Sequence, residues 1–507
     1  MRTLFAFGIL TWLLVVWGFS GAIAVDPFYK WVVAPILAVL TAYHLTNFGL
    51  ELWFKQFDLD EHFRRVSRYW RVQHVRDVYH LVHLRQPSVD VFLPICGEDI
   101  AILRNTWKHV ARLNYLNKKV YVLDDSSDDC AEHRALAERF GFTYIERPNK
   151  GEMKKAGNLK YAYERTGGEF IAIFDADFAP HPDFLLELLP YTADPKVGIV
   201  QSPQYFDVST EAYKASPLAY AAAFQQELFY RVTQPARERL GGPICCGTNA
   251  IYRRAALETI GGPKQVDASE DSRTGYALMC QGWVVRYVPI ILALGVCPDN
   301  VYAFFHQQHR WCRGRTELVL SREFLKSPVS FFPKFCVASG FLLFLTRPLT
   351  ILMTFHLFWV IFVYNESISI SHAVVFYPYI IFSIIMLPLF HIARMRLVVF
   401  YAGLVQLYAN SHALISFFLG RSVGWIATGA KHTSVSPAFR QTMYGLGTYI
   451  AVYSLLCIVA ALVGFLHPLD VNYYSVQFWL FYNLGISMVL FMQMYKFYRT
   501  AVKTSMA

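Results

Sequence analysis

Two acidic clusters in the first half of the chain have the residue types and the spacing to hold a metal ion. Asp175-Ala176-Asp177 follows five apolar residues in the stretch FIAIFDADFAP, and Asp124-Asp125 ends the apolar run of VYVLDDSSDD. Two carboxylates separated by one residue concentrate negative charge, which is costly unless a cation lies there. Carboxylate oxygens suit Mg²⁺ or Mn²⁺, which proteins usually hold together with substrate phosphates. The D-x-D pattern therefore predicts a metal site beside a phosphate-bearing substrate.

Other acidic residues have a structural interpretation as well. Asp and Ser after a strand commonly form turns and cap the next helix, and we assign Asp128 and Asp129 to that role. Glu270 and Asp271, in VDASEDSRTGYAL, precede a helical pattern at Arg273–Gln281. Acidic residues are stabilised at the N-terminus of a helix. One of the two could also be the base that removes a proton from a nucleophilic hydroxyl.

The stretch FFHQQHRWCRGRTELV, residues 304–319, concentrates polar and aromatic side chains between apolar segments. In a helix, Gln307, Arg310 and Trp311 would share one face because they lie three and four residues apart. An arginine can hold a diphosphate through two parallel hydrogen bonds, and an indole can stack on the apolar face of a sugar ring. The same composition is also typical of an amphipathic helix at a membrane interface.

Between residues 89 and 289, apolar runs of strand length alternate with helical patterns such as Ile100–Leu113 and Cys130–Phe140. The predicted strands are Val89–Pro94, Lys119–Asp125, Thr143–Pro148, Phe170–Asp177, Gly198–Pro203 and Trp283–Pro289. This alternation predicts an α/β domain with a mostly parallel sheet and helices on both faces. Ligands of such sheets bind beyond the carboxyl ends of the strands, which is where the acidic pairs lie.

The rest of the chain has the composition of a membrane protein. Its 507 residues are 55% hydrophobic and 17% charged, which is more apolar than an ordinary soluble chain. Because about 20 apolar residues cross a bilayer, we predict about six spans, near residues 4–24, 31–53, 347–364, 372–391, 441–466 and 476–496. Ala22-Ile23-Ala24 resembles a signal-peptidase site, but the stretch before it is long enough to span, so we predict an uncleaved helix.

The net charge of +10 indicates membrane topology rather than nucleic-acid binding, because basic residues adjoin the spans on the cytoplasmic side. These flanking residues are Arg64, Arg65, Arg68, Arg71, Arg76, Lys496, Arg499 and Lys503. We therefore expect a multi-pass protein of the cell membrane with two spans in 1–54, a cytosolic α/β domain in 55–300, interface helices in 301–346 and a membrane region in 347–507. Within the last, 393–440 is predicted to be cytoplasmic, partly along the interface. The nine cysteines lack CxxC or zinc spacing, and those on the cytosolic side are expected to be reduced.

In this order, the motifs resemble those of the processive family 2 glycosyltransferases, and most closely bacterial cellulose synthases. The D, D, D, QxxRW pattern of that family matches Asp124-Asp125, Asp175-Ala176-Asp177, Ser269-Glu270-Asp271 and Gln307-Gln308-His309-Arg310-Trp311, with Ser269 where the family has Thr. The stretches VDVFLPICGED, KKAGNLKYA, QQELFYR and ICCGTNAIYRR are similar to further family segments. WIATGAK is similar to the mobile gating loop, near 424–433. The resemblance spans approximately residues 85–435.

The resemblance implies a GT-A (Rossmann-like) catalytic domain inserted between transmembrane helices, and a role for each matched residue. Asp271 would be the catalytic base, supported by Glu270. Asp175 and Asp177 would hold Mg²⁺ or Mn²⁺. The acceptor would contact Trp311 and Cys246. The nucleotide-sugar donor would contact Glu98, Asp124, Asp125, Lys155, Asp175, Gln307, Arg310, Thr428 and Lys431, the last two in the gating loop.

The resemblance also implies a reaction. UDP-glucose is the expected donor, and a growing β-glucan such as cellulose, exported through the protein's own channel, is the expected product. Ser269, Thr248 and the altered gating loop, with Trp425 and Ala427 in place of Phe and Val, leave open a mixed-linkage glucan, a β-1,3-glucan or another hexose polymer. Export or assembly subunits also stay open as partners.

Two departures and two rival interpretations accompany the resemblance. No PilZ pattern follows the last span, so control by cyclic di-GMP through this chain is not expected, and only two spans precede the catalytic domain. A non-processive transferase that loads one sugar onto a polyprenyl phosphate shares the D-x-D pattern but lacks QxxRW. An inactive assembly or transport subunit is disfavoured by the intact acidic motifs.

Overall fold

The computed structural model describes residues 2–78, 86–126, 131–211, 216–364, 374–390, 398–421, 435–466 and 472–506. Several predicted roles fall outside these residues and stay predictions. They concern the turn residues Asp128 and Asp129 and the gating-loop residues Trp425, Ala427, Thr428 and Lys431.

The described residues include nine strands: β1 Val89–Ile95, β2 Lys118–Asp124, β3 Thr143–Glu146, β4 Phe170–Ile173, β5 Phe178–Pro180, β6 Val197–Gln201, β7 Ala250–Arg253, β8 Val284–Tyr287 and β9 Ala293–Gly295. Seven form one sheet in the order β3-β2-β1-β4-β7-β6-β8, and β5 pairs with β9. The pairs β1–β2, β1–β4, β2–β3 and β6–β8 are parallel, whereas β7 is antiparallel to both of its neighbours. The predicted α/β class is confirmed, with β7 as an antiparallel strand that the sequence pattern did not reveal.

The sheet is buried on both faces, which explains the nearly continuous apolar character of its central strands. Successive residues of β1 point to opposite sides, so Val91 packs with Leu103 and Trp107 on one face, while Phe92 packs with Leu159 on the other. The helices that cover the sheet thus anchor the strand ends at which the acidic motifs lie.

The helices around and beyond the sheet carry the remaining motifs. The α-helices are Arg2–Val25, Ala34–Glu51, Leu59–Val78, Ile100–Ala111, Ala131–Arg139, Lys154–Tyr163, Phe184–Leu188, Pro217–Leu228, Gln234–Arg239, Arg254–Glu258, Glu270–Cys280, Val301–Val319, Arg322–Lys326, Phe331–Met353, His356–Tyr364, Tyr377–Ile381, Val398–Phe418, Pro437–Leu466 and Asn472–Met506. Short π-helices are Tyr29–Val33, Phe229–Thr233 and Phe382–Met386, and short 3₁₀-helices are Leu189–Ala193, Val374–Phe376 and Pro388–Phe390. We call Val301–Val319 the QxxRW helix.

Five helices of the described chain are long and apolar enough to cross a membrane: Arg2–Val25, Tyr29–Glu51, Phe331–Val363, Val398–Phe418 and Pro437–Leu462. The first two agree with the predicted N-terminal spans. The third begins in the segment expected to hold interface helices. The predicted sixth span lies within Asn472–Met506.

The structure describes part of the region between 372 and 440. Of the predicted fourth span at 372–391 it describes 374–390, where the apolar helix Val374–Met386 is shorter than the about 20 residues of a span, and its turns change between 3₁₀, α and π geometry. Val398–Phe418, which was expected to be cytoplasmic, is instead a span candidate. Polar residues such as Asn410 lowered its apparent hydropathy, but Asn410 is fully buried within the protein.

The QxxRW helix joins the sheet domain to the apolar helices. It packs against Val398–Phe418, which also packs against Pro217–Leu228. Phe304 and Phe305 belong to one core together with Ala409 and Phe439. The helix therefore holds its polar motif at the boundary between the sheet domain and the candidate spans.

Candidate active site

The Asp124-Asp125 pair ends strand β2 and is saturated by donors of the protein. Asp124 accepts hydrogen bonds from the Ser126 amide, at 2.7 Å, and from the hydroxyls of Ser126 and Tyr144. Burial opposes ionisation of Asp124, but these hydrogen bonds outweigh it and lower the pKa. Asp125 receives both arms of the Arg147 guanidinium, each at 2.7 Å. These contacts fix the loop at the strand end, and the donor contacts of Asp124 and Asp125 stay a prediction.

Lys155 links the D-x-D motif to the third acidic motif. Its ammonium group forms an ion pair with Asp175 and lies 3.9 Å from Glu270 Oε1 and 3.4 Å from the Gly247 carbonyl. Burial lowers the pKa of Lys155. The neighbouring carboxylates, of which Asp175 has the largest effect, outweigh burial, so the pKa of Lys155 is raised overall. Lys155 is therefore a fixed positive charge where the two acidic motifs meet.

Asp175 and Asp177 lie just past strand β4, where Thr248 Oγ1 accepts a hydrogen bond from the Asp175 amide at 2.9 Å. Burial and the negative charge of Asp175 raise the pKa of Asp177 to about 7. Burial also raises the pKa of Glu98, although the Cys96 amide donates to its carboxylate at 2.6 Å. Two carboxyl groups whose pKa values are raised beside the charge of Asp175 fit a site that a divalent cation would stabilise.

The protein ligands of such a cation would be few. In the part of the chain that the structure describes, no group of three or more His, Cys, Asp or Glu side chains is arranged to hold a metal ion. A D-x-D carboxylate pair whose metal is completed by substrate phosphate oxygens agrees with this, because Mg²⁺ is usually bound through one or two carboxylates in phosphate-transfer sites.

Glu270 and Asp271 begin helix Glu270–Cys280, which starts three residues earlier than the predicted Arg273–Gln281. The Ser272 amide donates to Asp271 Oδ1 at 2.6 Å. Burial and the charge of Glu270 raise the pKa of Asp271 to about 7, which is near the value expected for a general base that works at neutral pH. The preceding residue, Ser269, has a left-handed backbone with φ of 57°.

Two glycines allow other segments to pack closely against Ser269 and Asp271. A Cβ atom on Gly247, whose φ is +76°, would lie 2.8 Å from Asp271 Cβ. A Cβ atom on Gly314 of the QxxRW helix would lie 2.2 Å from Ser269 Oγ. These distances are too short for a side chain, so both glycines are needed for the observed packing around Asp271.

We predict that Gly247→Ala will lower the free energy of unfolding by about 2–4 kcal/mol, since it adds backbone strain and a collision with Asp271. Gly282→Ala is the matched control because Gly282 has φ of +82° with no atom near its Cβ position. Denaturation of the purified proteins should therefore show a smaller loss for Gly282→Ala. Equal losses would mean that the close approach to Asp271 contributes nothing.

The QxxRW helix begins at Asn300, whose side chain accepts a hydrogen bond from the Ala303 amide at 2.9 Å. Burial lowers the pKa of the Arg310 guanidinium. The carboxylates around it act in the opposite direction, and Glu270 and Asp175 have the largest effects. Arg310 therefore lies near the acidic motifs. Gln307 has a buried Oε1 atom without a protein partner among the described residues.

Trp311 lies on the side of the helix that meets the apolar helices. Its half-buried ring packs beside Phe341 against a core that contains Phe344 and Leu414. The indole thus lies where the sheet domain meets helices Phe331–Met353 and Val398–Phe418.

Cys246 is held in the loop before Gly247. Gln201 Oε1 accepts from its amide at 3.0 Å, and Gln234 Nε2 donates to its sulfur at 3.7 Å. Burial, followed by the charge of Asp271, raises the pKa of the Cys246 thiol. The structure therefore places Cys246 beside the candidate base as a neutral thiol.

Two residues near the site were missed by sequence reasoning. Arg147 binds Asp125 from a loop that carries no motif. Arg315 donates to Ser272 Oγ at 3.4 Å. It follows Arg310 by five residues in RWCRGRT, and this nearness to the motif could have indicated that it lies close to the site.

Comparison with known proteins agrees with this arrangement. Residues 90–261 match the family described as Glycosyl transferase family 2. Cellulose synthase 1 of Komagataeibacter xylinus is 33% identical over 235 residues, which are 46% of this chain and 15% of that protein. The UDP-forming cellulose synthase catalytic subunit of Pseudomonas fluorescens (strain SBW25) is 31% identical over 280 residues, which are 53% of this chain and 38% of that protein. The chain thus spans only a minor part of the length of these relatives.

Among solved structures, the mannosyltransferase PcManGT from Pyrobaculum calidifontis, in complex with GDP-mannose and Mn²⁺, shares the fold. It superposes with a TM-score of 0.51 at 18% identity, over 76% of this chain and 100% of that chain. The mixed sheet is thus of the GT-A type, as the motif resemblance implied. Residues 90–261 form a glycosyltransferase family 2 domain, and over this region the chain is cellulose-synthase-like.

Proposed function

We propose that the protein is a processive, inverting membrane glycosyltransferase that polymerises a nucleotide sugar, UDP-glucose, into a β-glucan and passes the product through its own membrane helices. The observation that carries the proposal is the convergence of Asp175, Lys155, Asp271 and Arg310 around one site. These residues come from separate motifs and lie near one another, and Trp311 follows Arg310 on a helix that packs against candidate spans.

The donor diphosphate would lie between a metal ion and two cationic side chains. Asp175 and Asp177 would hold Mg²⁺ or Mn²⁺, which supplies positive charge to the departing nucleoside diphosphate. Arg310 can donate two parallel hydrogen bonds to phosphate oxygens, and Lys155 adds a compact charge. The GDP-mannose and Mn²⁺ of the mannosyltransferase with the same fold are in keeping with this class of donor and metal.

Asp271 would act on the acceptor. Its carboxylate takes the proton of an acceptor hydroxyl while the oxygen attacks the anomeric carbon from the face opposite the diphosphate, so the configuration inverts. The bond to the diphosphate breaks, and its electron pair leaves with the nucleotide. Glu270 supports this role, since its charge favours proton uptake by Asp271.

The position of Trp311 supports processive synthesis with export. A sugar ring stacked on its indole would lie next to helices that are long enough to cross the bilayer. A transferase that loads a single sugar onto a lipid phosphate has no need of such an aromatic platform in the polymer path. The catalytic domain would then lie on the cytosolic side.

The pH dependence of the reaction tests the role of Asp271. A general base acts in its ionised form, so kcat/KM should fall about tenfold per pH unit below pH 7, as protons add to a group whose pKa is about 7. Glu270→Gln removes the charge that raises this pKa, so its profile should shift to lower pH. A rate that stays constant between about pH 5.5 and 7 would exclude Asp271 as the base.

A further inference from the structure

Three arginines in helices around the candidate site have no carboxylate ion pair among the described residues. They are Arg237 in helix Gln234–Arg239, Arg315 in the QxxRW helix, and Arg347 in helix Phe331–Met353. Other arginines of the same region do have partners: Arg313 pairs with Glu317, and Arg286 pairs with Glu238. The three therefore form an unusual group, which we call the arginine row.

Arg237 is the most deeply buried member. It is 4% exposed, and its Nη2 atom donates to Ser339 Oγ at 2.9 Å. Its Nε and Nη1 atoms are buried and have no acceptor among the described protein atoms. The face of the Phe229 ring lies 5.7 Å from the guanidinium, which offsets only part of the desolvation. A buried cation with two unused donors is costly unless an anion compensates it during function.

Arg315 connects the row to the catalytic residues. Its Nη2 atom donates to Ser272 Oγ at 3.4 Å, and the amide of Ser272 donates to Asp271. A Cβ atom on Gly340 would lie 3.6 Å from Arg315 Nε. Because Ser339 binds Arg237, the two guanidinium groups approach the same turn of helix Phe331–Met353. Their proximity also shows in the pKa of Arg315, which burial and then the charge of Arg237 lower to about 10.

Arg347 extends the row into the apolar helices. It follows Gly340 by seven residues, about two helical turns or roughly 10 Å, on the same face of the helix. Its Nη2 atom donates to Gln406 Oε1 at 3.0 Å, and Gln406 Nε2 donates to Gln308 Oε1 at 3.0 Å. Its Nε atom is buried and has no acceptor within the described protein. The row thus begins beside Asp271 and continues toward the candidate spans.

Two carboxylates lie near the row, and neither forms an ion pair with it among the described residues: Asp271 lies near Arg315, and Glu51 lies near Arg237. Thr233 Oγ1 donates to Glu51 Oε1 at 3.0 Å, and Asn47 Nδ2 donates to the same atom at 3.3 Å. Glu51 Oε2 is buried and has no hydrogen-bond partner among the described residues. Two carboxylates leave part of the positive charge of three guanidinium groups unbalanced, and neutral hydrogen bonds from water or an amide do not supply the difference.

We propose that the arginine row binds an anionic group of the acceptor, so that the substrate extended at Asp271 is acidic and not a neutral glucan alone. The anion is a carboxylate of a uronic acid unit, which a second, uronic-acid-bearing nucleotide sugar would supply, or the phosphate of a lipid carrier on which the glucan is built, since guanidinium groups recognise both in the same bidentate way. This inference rests on the proposed function for the location of the acceptor, and it names the charge of that acceptor.

Binding to the full chain in lipid nanodiscs tests the inference without any turnover. The probes are a β-linked glucuronic acid tetrasaccharide, undecaprenyl phosphate and the neutral tetrasaccharide cellotetraose. We expect at least one anionic probe to bind about tenfold more tightly than cellotetraose, and the probe that does so identifies the source of the anion. Equal affinity for all three probes, or no binding of either anion, would overturn the inference.

Variants of the row add a second readout. Arg237→Gln should weaken binding of the anionic probe about tenfold and leave cellotetraose binding unchanged, whereas Arg237→Lys, which keeps the charge, should lose less. The matched control is Arg231→Gln, since Arg231 lies in the same segment, is more exposed and pairs with Glu227. Anion binding by Arg237→Gln that equals the wild type would refute the role of the row.

A salt titration of the unmodified protein keeps the test decisive if Arg237→Gln does not fold. Affinity for the anionic probe should fall severalfold between about 0.05 and 0.5 M NaCl, while cellotetraose affinity stays constant. Affinity for the anionic probe that is no higher than cellotetraose affinity at either salt concentration would overturn the inference. Release of UDP from UDP-glucose is measured separately: its absence would refute the proposed function, whereas a charge-selective binding result would still stand.

Discussion

Asp271→Asn should lower the rate of polymer formation by about 10³-fold, the usual contribution of a general base. Asparagine has the same shape but cannot accept the proton of the attacking hydroxyl. Ser272 would still contact the side chain, so folding and membrane insertion should be normal. The measurement is incorporation of labelled sugar into polymer by the purified protein, with donor binding followed in parallel. Donor affinity should change less than about threefold.

The matched control for this variant is Asp267→Asn, which removes an exposed carboxylate from the same loop. We expect it to keep wild-type activity. If Asp271→Asn retains more than about a tenth of the wild-type rate, another group removes the proton and the assignment of Asp271 is wrong.

Arg310→Ala should lower kcat/KM for the nucleotide sugar by about 10²–10³-fold, because it removes a charge-assisted fork from the diphosphate in a site where water is limited. Arg310→Lys should recover only part of this loss, since an ammonium group cannot donate two parallel hydrogen bonds. Steady-state kinetics with the purified protein and Mn²⁺ give both values.

Arg313→Ala is the matched control on the same helix. Arg313 contacts Glu317 at 2.6 Å and the Arg421 carbonyl at 2.8 Å, away from the acidic motifs. Its removal should leave kcat/KM within about threefold of the wild type. Equal losses for Arg310→Ala and Arg313→Ala would indicate a general disturbance of the QxxRW helix and not a lost diphosphate contact.

Much of the fold could be predicted because the sheet strands are short apolar runs that end in acidic or polar residues. Strand β1 is fully buried and was found within one residue of its limits. Strand β7, AIYR, was missed because it has four residues and follows a glycine-containing loop without a strand-like pattern. Its antiparallel pairing depends on the neighbours β4 and β6, which local sequence does not reveal.

The membrane region was harder to predict because hydropathy averages both faces of a helix. Helix Val398–Phe418 contains Gln406, Asn410 and His412, which lowered its apolar character. Gln406 contacts Gln308 and Arg347, and His412 contacts His309 at 3.2 Å. Polar residues that meet partners inside the protein are compatible with a span, but the partners become visible only in three dimensions.

The candidate site, too, could be predicted only in part from the sequence. The acidic motifs and the QxxRW sequence indicate chemistry by residue type and spacing, but the helical spacing predicted only that Gln307, Arg310 and Trp311 share one face, not what that face meets. The contacts of Arg147, Arg237 and Arg315 join residues distant in sequence, so no local pattern predicts them. The saturation of Asp124 and Asp125 by protein donors likewise depends on the assembled loops.

The central claim is that nucleotide sugar is converted into long polysaccharide at the site around Asp271. The most direct test incubates the purified protein in nanodiscs with individually labelled nucleotide sugars and Mg²⁺ or Mn²⁺, and then digests the product with linkage-specific glycosidases. We predict release of UDP from UDP-glucose together with labelled high-mass polymer that a β-glucanase degrades, and neither product with Asp271→Asn. Label that appears only in a lipid carrying one sugar, or no consumption of any nucleotide sugar, would contradict the claim.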